Sequence, residues 1–288
     1  IFWRVYWKGW LELRPKVWSD FVEDLKSIQV NENYNKAINA QTDIECFNDW
    51  VKELKQYNYL HNHTRMIFAS IWIFTLGLPW QKGAEFFMRY LYDGDPASNT
   101  LSWRWVAGIQ TKGKHYLAQS WNIDKFSNQK YKNVKVNENA LPILDKREYK
   151  ISPVQKNENL NLYEQLIVFE NEINLDFIDV KKYKKIYYVL LGNKARSIHL
   201  DQKVLEYKRK IIDHNLVTNN GEKFVNEDTL EGIFKENKNF DIIYPSIGEN
   251  YSFLRRVIKK HSLEVNFIKR KEDEFCWNFS NKGFFNFK

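Results

Sequence analysis

The chain has 288 residues, 43% of them hydrophobic and 28% charged, and its 44 Lys and Arg exceed its 36 Asp and Glu to leave a formal net charge of +8. That size and balance are those of a soluble globular protein with one large domain or two ordinary ones. They exclude a disulfide-built mini-protein, since Cys46 and Cys276 stand far apart and form no readable disulfide or zinc pattern; a reducing cytoplasm is the expected setting. No apolar run reaches the length of a membrane span and no signal-peptide pattern is present, so no membrane partner is expected.

The opening stretch, "FWRVYWKGWLELRPKVW", places Trp3, Tyr6, Trp7 and Trp10 at helical spacing, with Arg4 and Lys8 as a basic edge beside them. Such a stripe is ordinarily core. Interleaved aromatic and basic residues also suit stacking on bases or on a flat cofactor. The chain begins here without Met and in mid-pattern, the expectation for a fragment whose natural N-terminal segment is missing.

Further along, "CFNDWVKELKQYNYL" carries apolar residues at the three-and-four spacing of a core-facing helix, and "RMIFASIWIFTLGL" is apolar nearly all round, as a central helix is, with Gly77 and Pro79 to stop it. "GAEFFMRYLY" predicts another amphipathic helix. Residues 129–160 are polar and rich in Asn and Lys, the best candidate for a linker. Beyond them the pattern changes. "EQLIVFE", "KIYYVLLG", "FDIIYP" and "LEVNFIK" predict strands, and "LDQKVLEYKRKIIDHN", "EDTLEGIFKENK" and "YSFLRRVIKKHS" predict helices between them. Strand–helix alternation implies right-handed crossovers and a mostly parallel sheet. Ten of the eleven tryptophans fall within the first 121 residues, which also divides the chain in two.

Two constellations bear chemistry. "LYDGDPASNTLSWRW" combines Asp93, Asp95 and Asn99 with Trp103 and Trp105. A D-x-D pair can hold a divalent metal under a sugar nucleotide, as in a metal-dependent transferase, or be no more than a tight acidic turn at a helix end. A metal site gains nothing from indoles, whereas a planar redox cofactor does. In a helix after Pro96, Asn99 and Trp103 share a face. "LHNHTRMI" places Asn62 and Arg65 on one helical face. Arg65 offers a flat guanidinium fork that would pair with Asp93, expected as a buried ion pair. His61 and His63 lie two apart with no third ligand in sight, so no metal is expected; a polar core or DNA-facing role is ordinary for them.

The motifs "FWRVYWKGWL", "LHNHTRMI", "GLPWQKGAEFF" and "LYDGDPASNTLSWRWVAG", in this order and at this spacing, resemble the helical FAD-binding domain of the photolyase/cryptochrome family, most closely a bacterial branch without the usual N-terminal antenna domain. The resemblance implies an all-α FAD-binding domain over 1–128, followed by the 129–160 linker and a smaller α/β domain over 161–288. It implies FAD as cofactor, with Arg65 and Asp93 as the ion pair beside the flavin ring and Asp95 accepting from flavin N3–H. It sets Asn99 facing flavin N5, Asn62 as a polar flavin contact and Arg4 near cofactor and lesion. Trp3 and Trp105 match the indoles that flank a flipped pyrimidine dimer, and Trp103 and Trp80 the inner and middle members of a tryptophan electron-transfer chain.

Three positions depart from the family pattern. Ala37 stands where the outer tryptophan is usual and His63 where arginine is common. A glutamate and a phosphate-binding loop that precede the first motif lie outside the chain. The implied activity is light-driven splitting of pyrimidine dimers in damaged DNA. The alternative is a cryptochrome-like photoreceptor, which would act on a protein partner; oligomeric state is not legible. Residues 240–285 faintly resemble the family's antenna-type α/β domain, against a plain packing or interaction role.

Overall fold

The computed structural model describes residues 2–154, 162–218 and 222–287. Residues 155–161, which span the end of the predicted linker and the first residue beyond it, lie outside the described residues. The chain forms two compact units. One comprises Ser19–Tyr149; the other joins Ile1–Trp18 to Lys150–Lys288.

The Ser19–Tyr149 unit is helical. It takes most of α2 (Lys16–Ser27), then α3 (Glu32–Ile38), α4 (Glu45–Tyr57), α5 (Asn62–Ser70), α6 (Trp80–Tyr90), α7 (Pro96–Ala107) and α8 (Ser120–Phe126). As its all-apolar sequence predicts, α5 is central. Ile67, Phe68, Ala69 and Ser70 are buried, and the helix widens into a π-helical turn at Ile71–Thr75 before Gly77, with φ of 64°, ends it. Around it Phe47 stacks on Phe68 at 4.4 Å, and Phe86, Phe87 and Trp103 complete an aromatic core. The polar stretch 129–149 belongs to this unit: Asn137 bonds Phe74 O and Thr75 Oγ1, and Arg147 meets both oxygens of Asp24.

In the other unit five parallel strands, β1 (Gln165–Phe169), β2 (Lys185–Val189), β3 (Glu222–Val225), β4 (Asn239–Ile243) and β5 (Glu264–Ile268), take the order β3-β2-β1-β4-β5. The crossovers after β2, β3 and β4 run through α9 (Gln202–Thr218), α10 (Glu227–Glu236) and α11 (Glu249–His261), the one after β1 has only a 3₁₀ turn at Val180–Lys182, and α12 (Lys271–Trp277) and α13 (Phe284–Phe287) follow β5. Both faces are covered: Phe169, Leu230, Phe234 and Leu254 pack on one, Val168, Tyr188, Ile212 and Ile268 on the other. That is why β1 reads as a continuous apolar run. The expectation of a mostly parallel sheet holds for all five strands. The strand "EKFV" escapes notice in the sequence because it is four residues long and half charged.

Helix α1 (Phe2–Glu12) packs on α12 within this unit. Gly9 permits the approach, since a Cβ there would stand 2.8 Å from Trp277 Cα. No helix among the described residues is long and apolar enough to cross a membrane.

Candidate flavin site

The site in the helical unit is assembled by a loop clamp. Asn58 ends α4 in the left-handed conformation, with φ of 56°, and is wholly buried. Its side-chain amide donates to Tyr90 O at 2.7 Å and its backbone carbonyl accepts from Tyr92 N at 2.9 Å. The chain entering α5 is thereby tied to the chain leaving α6, which brings Arg65 to Asp93. The guanidinium meets both carboxylate oxygens at 3.0 Å, and its Nε donates to Leu60 O at 2.8 Å. The fork is held at three points.

The pair expected from the sequence forms, but it is not buried. The Arg65 side chain is 21% exposed and Asp93 51%. The reason lies in the tight turn at Gly94, whose N–H bonds Leu91 O and which lifts Asp93 outward. One residue further, Asp95 caps α7: its Oδ1 accepts from Ser98 N at 2.7 Å, and Pro96 follows at the first turn. The acidic turn at a helix start is therefore real, and it leaves one carboxylate, Asp93, on a fixed guanidinium and the next, Asp95, on the first turn of α7.

From α7, Asn99 and Trp103 point into the protein, 8% and 2% exposed. Asn99 Nδ2 donates to Ala84 O at 2.9 Å. Trp103 lies over Gly83 of α6, where an added Cβ would stand 2.3 Å from the indole. Its edge-to-face partners are Phe87 at 5.1 Å and Trp72 at 6.2 Å. Trp80 is buried in a different setting, stacked on Phe21 at 5.5 Å with the Arg104 guanidinium 5.9 Å from its ring centroid. Burial holds Arg104 below its ordinary basicity. Trp105 is half-buried and stacks on Tyr116 at 6.0 Å. Asn62 is exposed at the first position of α5. Ala37 is fully buried.

His61 and His63 line a cavity of about 300 Å³ with Trp50, Phe126, Lys130 and Tyr131. Asp49 accepts there from Tyr131 Oη at 2.6 Å and from Lys130 Nζ at 2.9 Å; burial, then Asp49, pushes the Tyr131 phenol up to about 12. Among the described residues no group of three or more His, Cys, Asp or Glu is placed to hold a metal.

The other two residues singled out from the sequence stand on α1, in the other unit. Trp3 is 47% exposed and stacks on Phe284 at 3.6 Å with the rings 7° apart, so one indole face is covered. Arg4 is exposed. The expected basic edge beside Trp3 is not formed by Lys8, which pairs with Glu172 at 2.7 Å and is largely buried. Sequence reasoning missed the structural part of Gly83, although a glycine inside the amphipathic run of α6 is itself a signal of close approach.

The donor set suits a flavin. An isoalloxazine edge presents one N–H and carbonyl oxygens, and here Asp93, Asp95 and Asn99 follow one another at and before the start of α7, with the Arg65 guanidinium fixed on Asp93. Ser98 Oγ, in the first turn of α7, is buried with no partner among the described residues.

The family described as the FAD binding domain of DNA photolyase matches residues 1–167, more than half of the chain. The chain belongs to that family, and FAD is its cofactor. It is 34% identical over 97 residues to the deoxyribodipyrimidine photo-lyase of Agrobacterium fabrum, covering 34% of this chain and 20% of that protein. The photo-lyase of Vibrio cholerae is 30% identical over 122 residues, with 41% of this chain and 26% of that one covered. Cryptochrome DASH of Idiomarina loihiensis is 28% identical over 95 residues, with 33% and 21% covered. The chain thus spans about a fifth to a quarter of the length of these curated relatives. No solved structure matches.

Proposed function

We propose that the chain is part of a light-driven flavoprotein of DNA photolyase type that splits pyrimidine dimers in damaged DNA. The observation that carries the reading is the bidentate Arg65–Asp93 pair, followed within six residues by Asp95, which caps α7, and by Asn99 in its first turns. When bound, FAD supplies the electron that opens the dimer and takes it back afterwards. The chain's own residues prepare for that chemistry. Arg65 places a fixed positive charge beside the site, which favours an anionic ring. Asp95 and Asn99 offer an acceptor and an amide to the ring edge, and Asn62 a further polar contact at the α5 terminus. Trp105 supplies an indole for stacking, and Trp3 and Arg4 on α1 present an exposed indole and cation of their own unit. The net charge of +8 suits phosphate contacts along the nucleic acid.

The 161–288 part is assigned to packing or interaction, with an antenna-like role as its alternative. A photoreceptor without repair activity is the second reading of the whole, favoured by the match to a cryptochrome DASH. One experiment separates them. Purified full-length protein is examined for flavin absorption, then illuminated with ultraviolet-damaged oligonucleotide. Repaired dimer supports the photolyase reading; flavin photoreduction with no repair supports the photoreceptor; absence of saturable FAD binding overturns both.

A further inference from the structure

Resting on the proposed function, we infer that oxidising equivalents leave Trp103 through Trp72 to Tyr34 and so reach the surface of the helical unit, bypassing Trp80. The path is a column of edge-to-face contacts. Trp103 meets Trp72 at 6.2 Å and 83°, and Trp72 meets Tyr34 at 5.8 Å and 89°. Trp72 is wholly buried, whereas Tyr34 on the short helix α3 is half-buried, so the column runs from core to solvent.

Gly83 makes the first contact possible. Both indoles lie against its bare Cα: a Cβ would stand 2.3 Å from Trp103 and 3.0 Å from Trp72 Nε1. The Trp72 N–H donates to Pro79 O at 2.9 Å, which fixes the ring and favours its electron-poor form.

The competing exits are electrostatically worse. A guanidinium over Trp80 attracts the neutral ring but repels a hole placed on it, and the stacking partner there, Phe21, is harder to oxidise than an indole or a phenol. Tyr90 joins Trp72 through Phe86, and the Lys55 ammonium lies 5.9 Å from the Phe86 centroid and 5.7 Å from that of Tyr90. Tyr34 stands in a mixed field: burial and then the Glu85 carboxylate raise its phenol above the ordinary range while the Arg89 guanidinium opposes them, so the direct ring contact to Trp72 at 5.8 Å is what favours this exit.

In the sequence of steps Trp103 yields one electron to photoexcited FAD, Trp72 refills Trp103, and Tyr34 refills Trp72 while losing its phenolic proton to water. An external thiol then returns a hydrogen atom to Tyr34, its S–H bond breaking as the O–H bond re-forms.

The test is transient absorption on the FAD-loaded full chain and its variants. A long-lived tyrosyl radical is expected in the parent and in Trp80→Phe. In Tyr34→Phe a shorter-lived tryptophanyl radical should replace it, and in Trp72→Phe both long-lived signals should be lost. Loss in Trp80→Phe with retention in Trp72→Phe overturns the route. A second arm needs no flavin: the same proteins, flavin-free, are oxidised by pulse-generated azide radical and followed for indole-to-phenol radical transfer. Disappearance of a transfer phase in both Trp72→Phe and Tyr34→Phe supports the column. An unchanged phase in Tyr34→Phe, a half-buried change that spares the core, overturns it even if FAD never binds.

Discussion

Replacing Gly83 by alanine opposes two effects whose sizes differ. In a helix interior alanine is favoured over glycine by about 1 kcal/mol. Against that, the new methyl group would sit 2.3 and 2.4 Å from two carbons of the Trp103 ring, where unstrained atoms never stand, and a tight 3.0 Å from Trp72 Nε1. The indole cannot easily recede, because Phe87 at 5.1 Å, Trp72 at 6.2 Å and Phe68 at 6.5 Å hold it on other sides. Overpacking of this kind costs about 1–3 kcal/mol, and a rigid, fully buried ring belongs at the upper end. The expected net effect is a loss of about 1–2 kcal/mol. Urea unfolding of the full chain, followed by tryptophan fluorescence, reads it as a lower midpoint for the helical unit at unchanged slope. A Gly83→Ala protein as stable as the parent, or more so, would refute the reasoning and show that α6 and α7 have slack between them.

Further outcomes are expected elsewhere. Ser70→Ala removes the acceptor of the buried Ala118 N–H, bonded at 2.7 Å, and should cost about 1–3 kcal/mol in the same unfolding assay. Asp93→Ala should change flavin-free stability by less than about 1 kcal/mol, because the ion pair is half-exposed, yet weaken FAD binding in a fluorescence titration; unchanged binding would remove the pair from the site. Buried Glu12 accepts from Tyr244 Oη and Ile247 N, and desolvation raises its pKa from 4.5 to about 7. A raised carboxyl stabilises the folded state below pH 4.5, and that contribution is lost as the pH rises through 7, a fall of about 3 kcal/mol. Glu12→Gln should flatten this dependence between pH 4 and 8, as read by denaturation midpoints in that range.

Much of the site was legible because its logic is local. Arg65 and Asn62 share a helical face by spacing alone, and Asp95 followed by Pro96 announces a helix start wherever it occurs. The strand–helix rhythm after residue 161 likewise needs only apolar runs and their breaks, which is why four of the five strands were readable.

What the tertiary structure alone decided is which of these local pieces meet. Nothing in the spacing of Trp72, Trp80 and Trp103 says which indole abuts Trp103; that depends on the missing side chain at Gly83 and on where α6 crosses α7. The exposure of Asp93 follows from a turn at Gly94 that composition cannot orient. The pairing of Lys8 with Glu172 and the seating of α1 on α12 join residues more than 150 positions apart, where only folded geometry brings charge to charge and Gly9 to Trp277. Periodicity is a property of a segment, and it determined the elements. Contact is a property of the whole chain, so the order of the strands and the path between the indoles waited on the fold.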